Sequence, residues 1–158
     1  MAKAKVTTSA ITDYLQTIRR LGGDAETVAK KAVYEGTKIM ADRVRANIQA
    51  LPTDEHWGTP DNPLHGVKAI QKQGLLDGFG VAEMRNDGGL INSLIGFDKA
   101  GYNKLGQANL MIARATQSGT SFSDKIPFFD SAVRATRSAA RAKMVEVAEQ
   151  ELEKITKG

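Results

Sequence analysis

Both histidines of the chain lie in one proline-rich segment, and three acidic residues lie close to them. His56 and His65 share this segment with Asp54, Glu55 and Asp61. Imidazole nitrogens and carboxylate oxygens are ligands for several divalent metals. No two histidines have the i, i+4 spacing that places two ligands on one helix face. We therefore favour a solvated polar loop with no metal ion, and a metal site stays as the alternative.

Other patterns that could support catalysis are weak. The paired glycines in "LGGDAET" (21–27) and "RNDGGLIN" (85–92) lack the spacing of phosphate-binding loops, and turn or cap duties explain both. The chain has no cysteine. A serine or threonine nucleophile needs a base within hydrogen-bonding reach, and no such motif is present. The sequence predicts a protein that is not an enzyme and has no cofactor.

The charges of the last predicted helix are more informative. Arg134, Arg137 and Arg141 follow the spacing i, i+3, i+7, which places them on one helix face. Acidic residues crowd the second half of the helix: Glu146, Glu149, Glu151 and Glu153. This order opposes the helix dipole, which disfavours cations near the N-terminus. An outside partner, either DNA phosphate or an acidic strip on a neighbouring subunit, would offset the conflict. A solvated face without a partner is the alternative.

Composition is typical of one soluble domain. The chain has 158 residues, of which 41% are apolar and 25% charged. No apolar run reaches the length of a membrane span, and the first residues do not form a signal peptide. We therefore expect synthesis inside the cell and no membrane contact. The net charge of +4 is compatible with nucleic acid but milder than that of a basic arm.

Hydrophobic periodicity predicts two helices in the first third of the chain. Residues 1–7 are expected to be a flexible end. Apolar residues at helical spacing predict a helix over Thr8–Leu21, which Gly22-Gly23 ends. Asp24 is a good N-cap for a second helix that reaches about Ala50. Gly36 inside this helix suggests a close crossing with another helix.

The rest of the chain predicts a small sheet and a final helix. Residues 52–73 have no periodicity and form a long inserted loop, which we expect to be mobile in the free subunit and to carry His56, Trp57 and His65 to an interface. A hairpin with its turn at residues 86–89 follows. We predict a third strand at "NLMIARATQSG" (109–119) and a C-terminal helix over 125–156. The fold class is α+β: two N-terminal helices, a small antiparallel sheet with a hairpin, and a long C-terminal helix packed on the sheet.

Two adjacent phenylalanines open the last helix. Pro127 suits the start of a helix, where its missing N–H is harmless. Phe129 shares a stripe with Val133 and Thr136 and should be buried. Phe128 points about 100° away, because successive residues of an α-helix are rotated by that angle. Phe128 is therefore a candidate contact with a neighbouring subunit, and burial of both rings is the alternative.

The order of these features resembles the tail-completion, or head–tail joining, proteins of long-tailed bacteriophages. The resemblance covers roughly residues 10 to 155. An early helix of the type "AVYEGTKIMADRVRANIQALP" ends at a proline, and a "GLLDGF" segment leads into strands. A Gly-Thr-Ser turn, "QSGTS" at 117–121, precedes a Pro-Phe motif, "IPFFDSAV". The chain departs from the family in two places. Residues 52–73 are an insertion, and Thr116-Gln117 stands where the family commonly has an aromatic-plus-acid pair.

The resemblance implies a structural virion protein without catalysis. Its expected partners are further copies of itself in a hexameric ring, the neighbouring phage neck and tail proteins, and viral DNA passing through the ring. Its expected place is the neck or tail of the virion, after assembly in the cytoplasm of the bacterial host. Arg134, Arg137, Arg141 and Phe128 are then candidate interface or channel residues. A non-specific nucleic-acid-binding protein that uses the basic helix face is the alternative.

Overall fold

A computed structural model describes residues 3–7 and 25–157 of the chain. In chain order the elements are β1 (Lys3–Thr7), α1 (Ala25–Gln49), α2 (Ala69–Gly78), β2 (Phe79–Val81), β3 (Arg85–Asp87), β4 (Leu90–Phe97), α3 (Asn109–Ser118) and α4 (Phe128–Lys157). Helices and a small antiparallel sheet are segregated along the chain, so the predicted α+β class is confirmed.

Helix α1 has the predicted length and position. It carries Glu26 in its first turn, where a carboxylate interacts favourably with the helix dipole. The predicted close crossing at Gly36 is confirmed, because a Cβ there would lie 2.6 Å from Cγ of Met144 on α4 and 3.2 Å from the carbonyl oxygen of Ala140. The predicted helix Thr8–Leu21, its Gly22-Gly23 end and the Asp24 cap lie outside the described residues.

The sheet has the strand order β1-β4-β2, and β3 also pairs with β4. Strands β3 and β4 form the predicted hairpin, in which Asp87 lies opposite Leu90 and the turn is Gly88-Gly89. Both turn glycines have positive φ, 64° and 96°, as a tight two-residue hairpin requires. The prediction of a flexible end over residues 1–7 is wrong for Lys3–Thr7. This segment is β1 because β4, far along the sequence, supplies its hydrogen-bonding partner.

The predicted third strand at 109–119 is also wrong, since these residues form helix α3. The buried residues of α3 are Asn109, Ala113, Thr116 and Gln117, and their spacing is that of a helix face. Gly119 ends the helix with φ of 75°, so only the predicted stop at this glycine is confirmed. The predicted loop 52–73 is too long, because α2 begins at Ala69.

Apart from β1, the described residues group into two compact units. One contains residues 41–80 and 95–135, and the other contains 25–40, 81–94 and 136–157. In the first unit four phenylalanine rings form a cluster, with centroid separations of 5.6 to 6.4 Å, and its members are Phe79, Phe97, Phe128 and Phe129. The start of α4 thereby packs on β4 through Phe97. In the second unit the core lies between α1 and α4, where Ala32, Val33 and Met144 are buried.

Candidate functional site

The segment between α1 and α2, residues 52–68, is a closed loop with a defined backbone path. Its two ends are joined by hydrogen bonds from the Asp54 N–H to the Val67 carbonyl and from the Val67 N–H to the Pro52 carbonyl, both 2.9 Å. Its middle is joined to the turn before α4, because the Leu64 N–H donates to the Phe122 carbonyl and the Asp124 N–H donates to the Leu64 carbonyl, both 2.8 Å. The predicted mobility of the loop stays a prediction.

Two glycines allow these close approaches. A Cβ on Gly66 would lie 2.1 Å from the Pro52 carbonyl oxygen, and a Cβ on Gly58 would lie 2.4 Å from the Phe122 carbonyl oxygen. Both obstacles are backbone atoms, which cannot rotate away as a side chain can. The loop conformation therefore requires glycine at both positions.

Asp54 is the polar centre of the loop. Its Oδ2 accepts the His65 N–H at 2.9 Å, and its Oδ1 accepts the His56 N–H at 3.4 Å and faces His56 Nδ1 at 2.5 Å. The hydrogen bond from the His65 backbone, followed by that from the His56 side chain, lowers the pKa of Asp54 below its ordinary value. Glu55 extends the network to α2, since its Oε1 accepts the Ala69 N–H at 2.7 Å.

The two histidines have different surroundings. The His56 ring lies between two acceptors, with Nδ1 facing Asp54 and Nε2 3.1 Å from the Asn62 carbonyl oxygen. The contact with the Asn62 carbonyl, and then that with the Asp54 carboxylate, raise the pKa of His56 above its ordinary value. The His65 ring faces one acceptor, Oδ2 of Asp124, at 2.5 Å from Nδ1.

The histidines and carboxylates of the loop do not converge on a common point. Over the part of the chain that the structure describes, no group of three His, Asp or Glu side chains is arranged to hold a metal ion. The contacts of His56 and His65 are instead hydrogen bonds that hold the loop together.

Trp57 projects from the loop with 82% of its surface exposed. The ammonium group of Lys68 lies 5.8 Å from the centre of its ring, within the range of a cation–π contact. Phe122 is 55% exposed in the turn whose carbonyl accepts the Leu64 N–H. Trp57 is thus an exposed residue, and its predicted role at an interface stays a prediction.

The Gly-Thr-Ser turn that follows α3 is held by its own side chains. Gly119 has φ of 75°, a value that side chains rarely allow. The Thr120 hydroxyl accepts the Phe122 N–H at 3.1 Å and contacts the Ser123 hydroxyl at 3.0 Å. This turn directs the chain from α3 towards α4.

The entry to α4 is buried, and this decides between the two interpretations of Phe128. Its ring is 3% exposed and that of Phe129 is 0% exposed, so within the chain both are core residues. In this conformation the buried ring of Phe128 cannot contact a neighbouring subunit. The stagger of about 100° between the rings places them on different sides of one cluster rather than on core and surface.

Gln117 supplies the missing cap of α4. Its Oε1 accepts the N–H groups of Phe129 at 3.0 Å and Asp130 at 3.2 Å, two of the four N–H groups that an isolated helix start leaves unpaired. Asn47 on α1 also donates to the Phe128 carbonyl at 2.9 Å. No sequence pattern indicates this role, because Gln117 precedes the helix that it caps by more than ten positions.

A cavity and a surface pocket lie close to the loop and to the start of α4. A cavity of about 90 Å³ lies beneath the loop and is lined by Leu64, Val67, Ile112 and Thr116, among others. A wider surface pocket of about 250 Å³ lies beside the entry to α4, where Leu51, Ile126 and Phe128 line it. Its lining is mostly apolar.

The arginines predicted to meet a partner are exposed. Arg134, Arg137 and Arg141 form no ion pair with any residue that the structure describes. The acidic second half of α4, by contrast, contains ion pairs within the chain. Glu151 pairs with Lys31 of α1 at 2.5 Å and with Lys154 at 3.0 Å. Acidic groups there are partly neutralised within the chain, and the arginines are not.

Two further results bear on the site. None of the described helices is both long and apolar enough to cross a membrane. Comparison of the chain with protein families, with curated proteins and with solved structures found no match.

Proposed function

We propose that this chain is a structural subunit of a bacteriophage neck or tail that joins the tail to the head as part of a closed ring. The proposal begins from the resemblance of its sequence motifs to tail-completion proteins. The α+β fold, the Gly-Thr-Ser turn and the buried Pro-Phe entry to α4 are compatible with it. The chain acts in this proposal by assembly and not by catalysis.

The observation that carries the proposal is the exposure of aromatic side chains. Eight of the nine aromatic residues lie in the part of the chain that the structure describes, and four of these eight are more than half exposed: Tyr34, Trp57, Tyr102 and Phe122. Single exposed apolar residues are ordinary, but aromatic residues are enriched where proteins bind proteins. A protein that works alone gains nothing from leaving so many aromatic rings in water.

The arginine row, which consists of Arg134, Arg137 and Arg141, offers a second surface for contact between subunits. These arginines lie beyond the first turn of α4, so the unfavourable effect in an isolated subunit is the repulsion between like charges spaced i, i+3 and i, i+4. In a ring, each copy uses one patch to meet a different patch on the next copy. The acidic second half of α4 is a weaker candidate for that second patch than the sequence indicates, since Lys31 and Lys154 already contact Glu151.

The test has a genetic and a physical arm. Loss of the gene should leave filled heads and separate tails that do not join, visible by electron microscopy, with DNA packaging unaffected. In the purified protein, the single change Trp57→Ala should reduce ring formation measured by light scattering, with an unchanged melting temperature. Lys104→Ala, a change of an exposed and non-aromatic residue, is the matched control. Normal infectious particles made without the protein would refute the proposal.

The exposed arginines favour one other function, non-specific binding of nucleic acid. Binding of this kind releases counterions from the DNA, and a higher salt concentration makes that release less favourable. The logarithm of K therefore falls with the logarithm of the salt concentration, with a slope of about −0.9 per phosphate contacted on duplex DNA. The arginine row predicts a slope of about −3 for a short duplex if each arginine contacts one phosphate. Such a slope in the monomer, lost in the triple change to glutamine, would favour this function over the structural one.

A further inference from the structure

The His56 ring lies in a position that demands two ring protons. Nδ1 faces a carboxylate oxygen of Asp54 at 2.5 Å, and Nε2 faces the carbonyl oxygen of Asn62 at 3.1 Å. Neither oxygen can donate a hydrogen bond. A neutral imidazole has one N–H and one lone pair, so it can satisfy only one of these contacts, whereas an imidazolium donates to both.

Loss of one proton therefore places a nitrogen lone pair against an oxygen. If the proton leaves Nδ1, the lone pair meets the Asp54 carboxylate. If it leaves Nε2, the lone pair meets the Asn62 carbonyl, and the turn at residues 59–62 loses its contact with the ring. Either way the loop loses one hydrogen bond of the His56 ring.

His65 provides the contrast within the same loop. Its Nδ1 faces Asp124, and no second acceptor of a described residue faces its ring. A neutral His65 with its proton on Nδ1 keeps this hydrogen bond. The geometry thus makes the loop sensitive to the proton on His56 and much less so to the proton on His65.

Over the part of the chain that the structure describes, the charged side chains that make contacts in the loop have defined partners. Asp54 is the charged side chain in contact with the His56 ring. Glu55 accepts the Ala69 N–H of α2, and Lys68 lies over the Trp57 ring. From the turn before α4, Asp124 contacts His65. The protonation of His56 is therefore coupled chiefly to Asp54.

We propose that the 52–68 loop is a proton-dependent clasp, which holds the described conformation while His56 carries both ring protons and opens when one is lost. Opening would release Trp57 from its place beside Lys68 and uncover the small cavity beneath the loop. The clasp does not rest on the proposed virion role, because it follows from the contacts of the loop alone.

The direction of the pKa shifts sets the pH window. His56 has a raised pKa, so its contribution is fully present below its ordinary pKa of 6.5 and is lost as pH rises through the folded value. Asp54 has a lowered pKa, so its contribution is present above its ordinary pKa of 3.8 and is lost as pH falls through the folded value. The clasp should be most stable between these two ordinary values.

The test uses the whole chain, which has two histidines and one tryptophan. Nuclear magnetic resonance of the ring nitrogens should show both nitrogens of His56 protonated in mild acid and a His56 pKa above its ordinary value. The protection factor of the His65 amide, which donates to Asp54, should fall as pH rises from the ordinary His56 pKa of 6.5 through its folded pKa. The fall should be about tenfold for each unit by which the folded pKa of His56 exceeds the unfolded one. Trp57 fluorescence should change with the same midpoint.

Matched variants distinguish the opening of the clasp from a general loss of stability of the chain. His56→Gln should make the protection of the His65 amide independent of pH in this range, and His65→Gln, read through Trp57 fluorescence, should keep the transition. Asp54→Asn should lower the pKa of His56, and it serves as the second variant if His56→Gln does not fold. A protection factor that stays constant across the range, a His56 pKa at or below its ordinary value, or a transition that survives His56→Gln would each overturn the proposal.

Discussion

Truncation of the two phenylalanines at the start of α4 tests whether both rings are core residues. Phe128→Ala and Phe129→Ala remove side chains that are 3% and 0% exposed. Transfer of one such ring from water contributes about 1.5–3 kcal/mol. The space left behind adds to the loss, so measured truncations of buried phenylalanine reach about 3–5 kcal/mol. We expect both changes to reduce the free energy of unfolding substantially.

The two losses should nevertheless differ, because the rings have different surroundings. Phe128 lines the surface pocket of about 250 Å³, so the space that its removal creates opens to solvent and can fill with water. Phe129 is fully enclosed, and its truncation leaves an empty cavity. We therefore expect about 3 kcal/mol for Phe128→Ala and about 4–5 kcal/mol for Phe129→Ala.

Urea denaturation followed by far-ultraviolet circular dichroism measures both losses by linear extrapolation. The double variant should show a coupling of about 0.5–1.5 kcal/mol, since the two rings pack edge to face with centroids 6.4 Å apart. Phe122→Ala, which changes a ring that is 55% exposed, is the control and should stay within about 0.5 kcal/mol of the parent. A loss for Phe128→Ala as small as that of the control would refute the burial of this ring.

Two further changes test the loop and the arginine row. Gly66→Ala should destabilise the chain by about 1–3 kcal/mol and make the 52–68 loop the first site of limited proteolysis, because the new Cβ would lie 2.1 Å from the Pro52 carbonyl oxygen. Gly80→Ala, where a Cβ meets nothing within 4 Å, is its control, and equal effects of the two changes would count against the close approach. Replacement of Arg134, Arg137 and Arg141 by glutamine should leave the melting temperature of the monomer unchanged or slightly higher, since the repulsion between like charges spaced i, i+3 and i, i+4 is relieved. A clear fall in that temperature would show that the arginines stabilise the subunit itself.

The two long helices could be predicted from sequence because their signals are local. Helix α1 ends just before Pro52, and α4 begins just after Pro127. In each case an apolar stripe of helical period runs between residues that stop or start a helix. The hairpin is equally clear, since Gly88-Gly89 supplies the positive φ values of the turn. None of these features depends on a distant partner.

Helix α3 shows where local signals mislead. Its short apolar run, Leu110 to Ala113, fits a strand or a buried helix, and periodicity alone does not separate the two. The decisive contact is distant: the Asn109 side chain lies against Gly74 and Gly78 of α2, where a Cβ would come within 2.5 Å and 2.7 Å of its amide atoms. Two glycines four residues apart make room on α2 for this side chain. The sequence could not show that "GLLDGF" and "NLMIARATQSG" meet.

The 52–68 loop depends both on local sequence signals and on contacts between distant residues. It also links the predicted mobility to the proposed clasp. The prolines, the missing periodicity and the length of this segment predict that it is mobile. They also correctly predict that the segment forms no regular element. The contacts that close the loop join residues far apart in sequence, such as His65 and Asp124, and the sequence does not display them. Because the His56 ring can donate to both Asp54 and the Asn62 carbonyl only while it carries two protons, order and mobility become two states of one segment. Limited proteolysis of the free subunit should therefore spare the loop in mild acid and cut it above the folded pKa of His56. Cleavage at the same rate on both sides of that pKa would show that the loop moves for reasons unrelated to its protons.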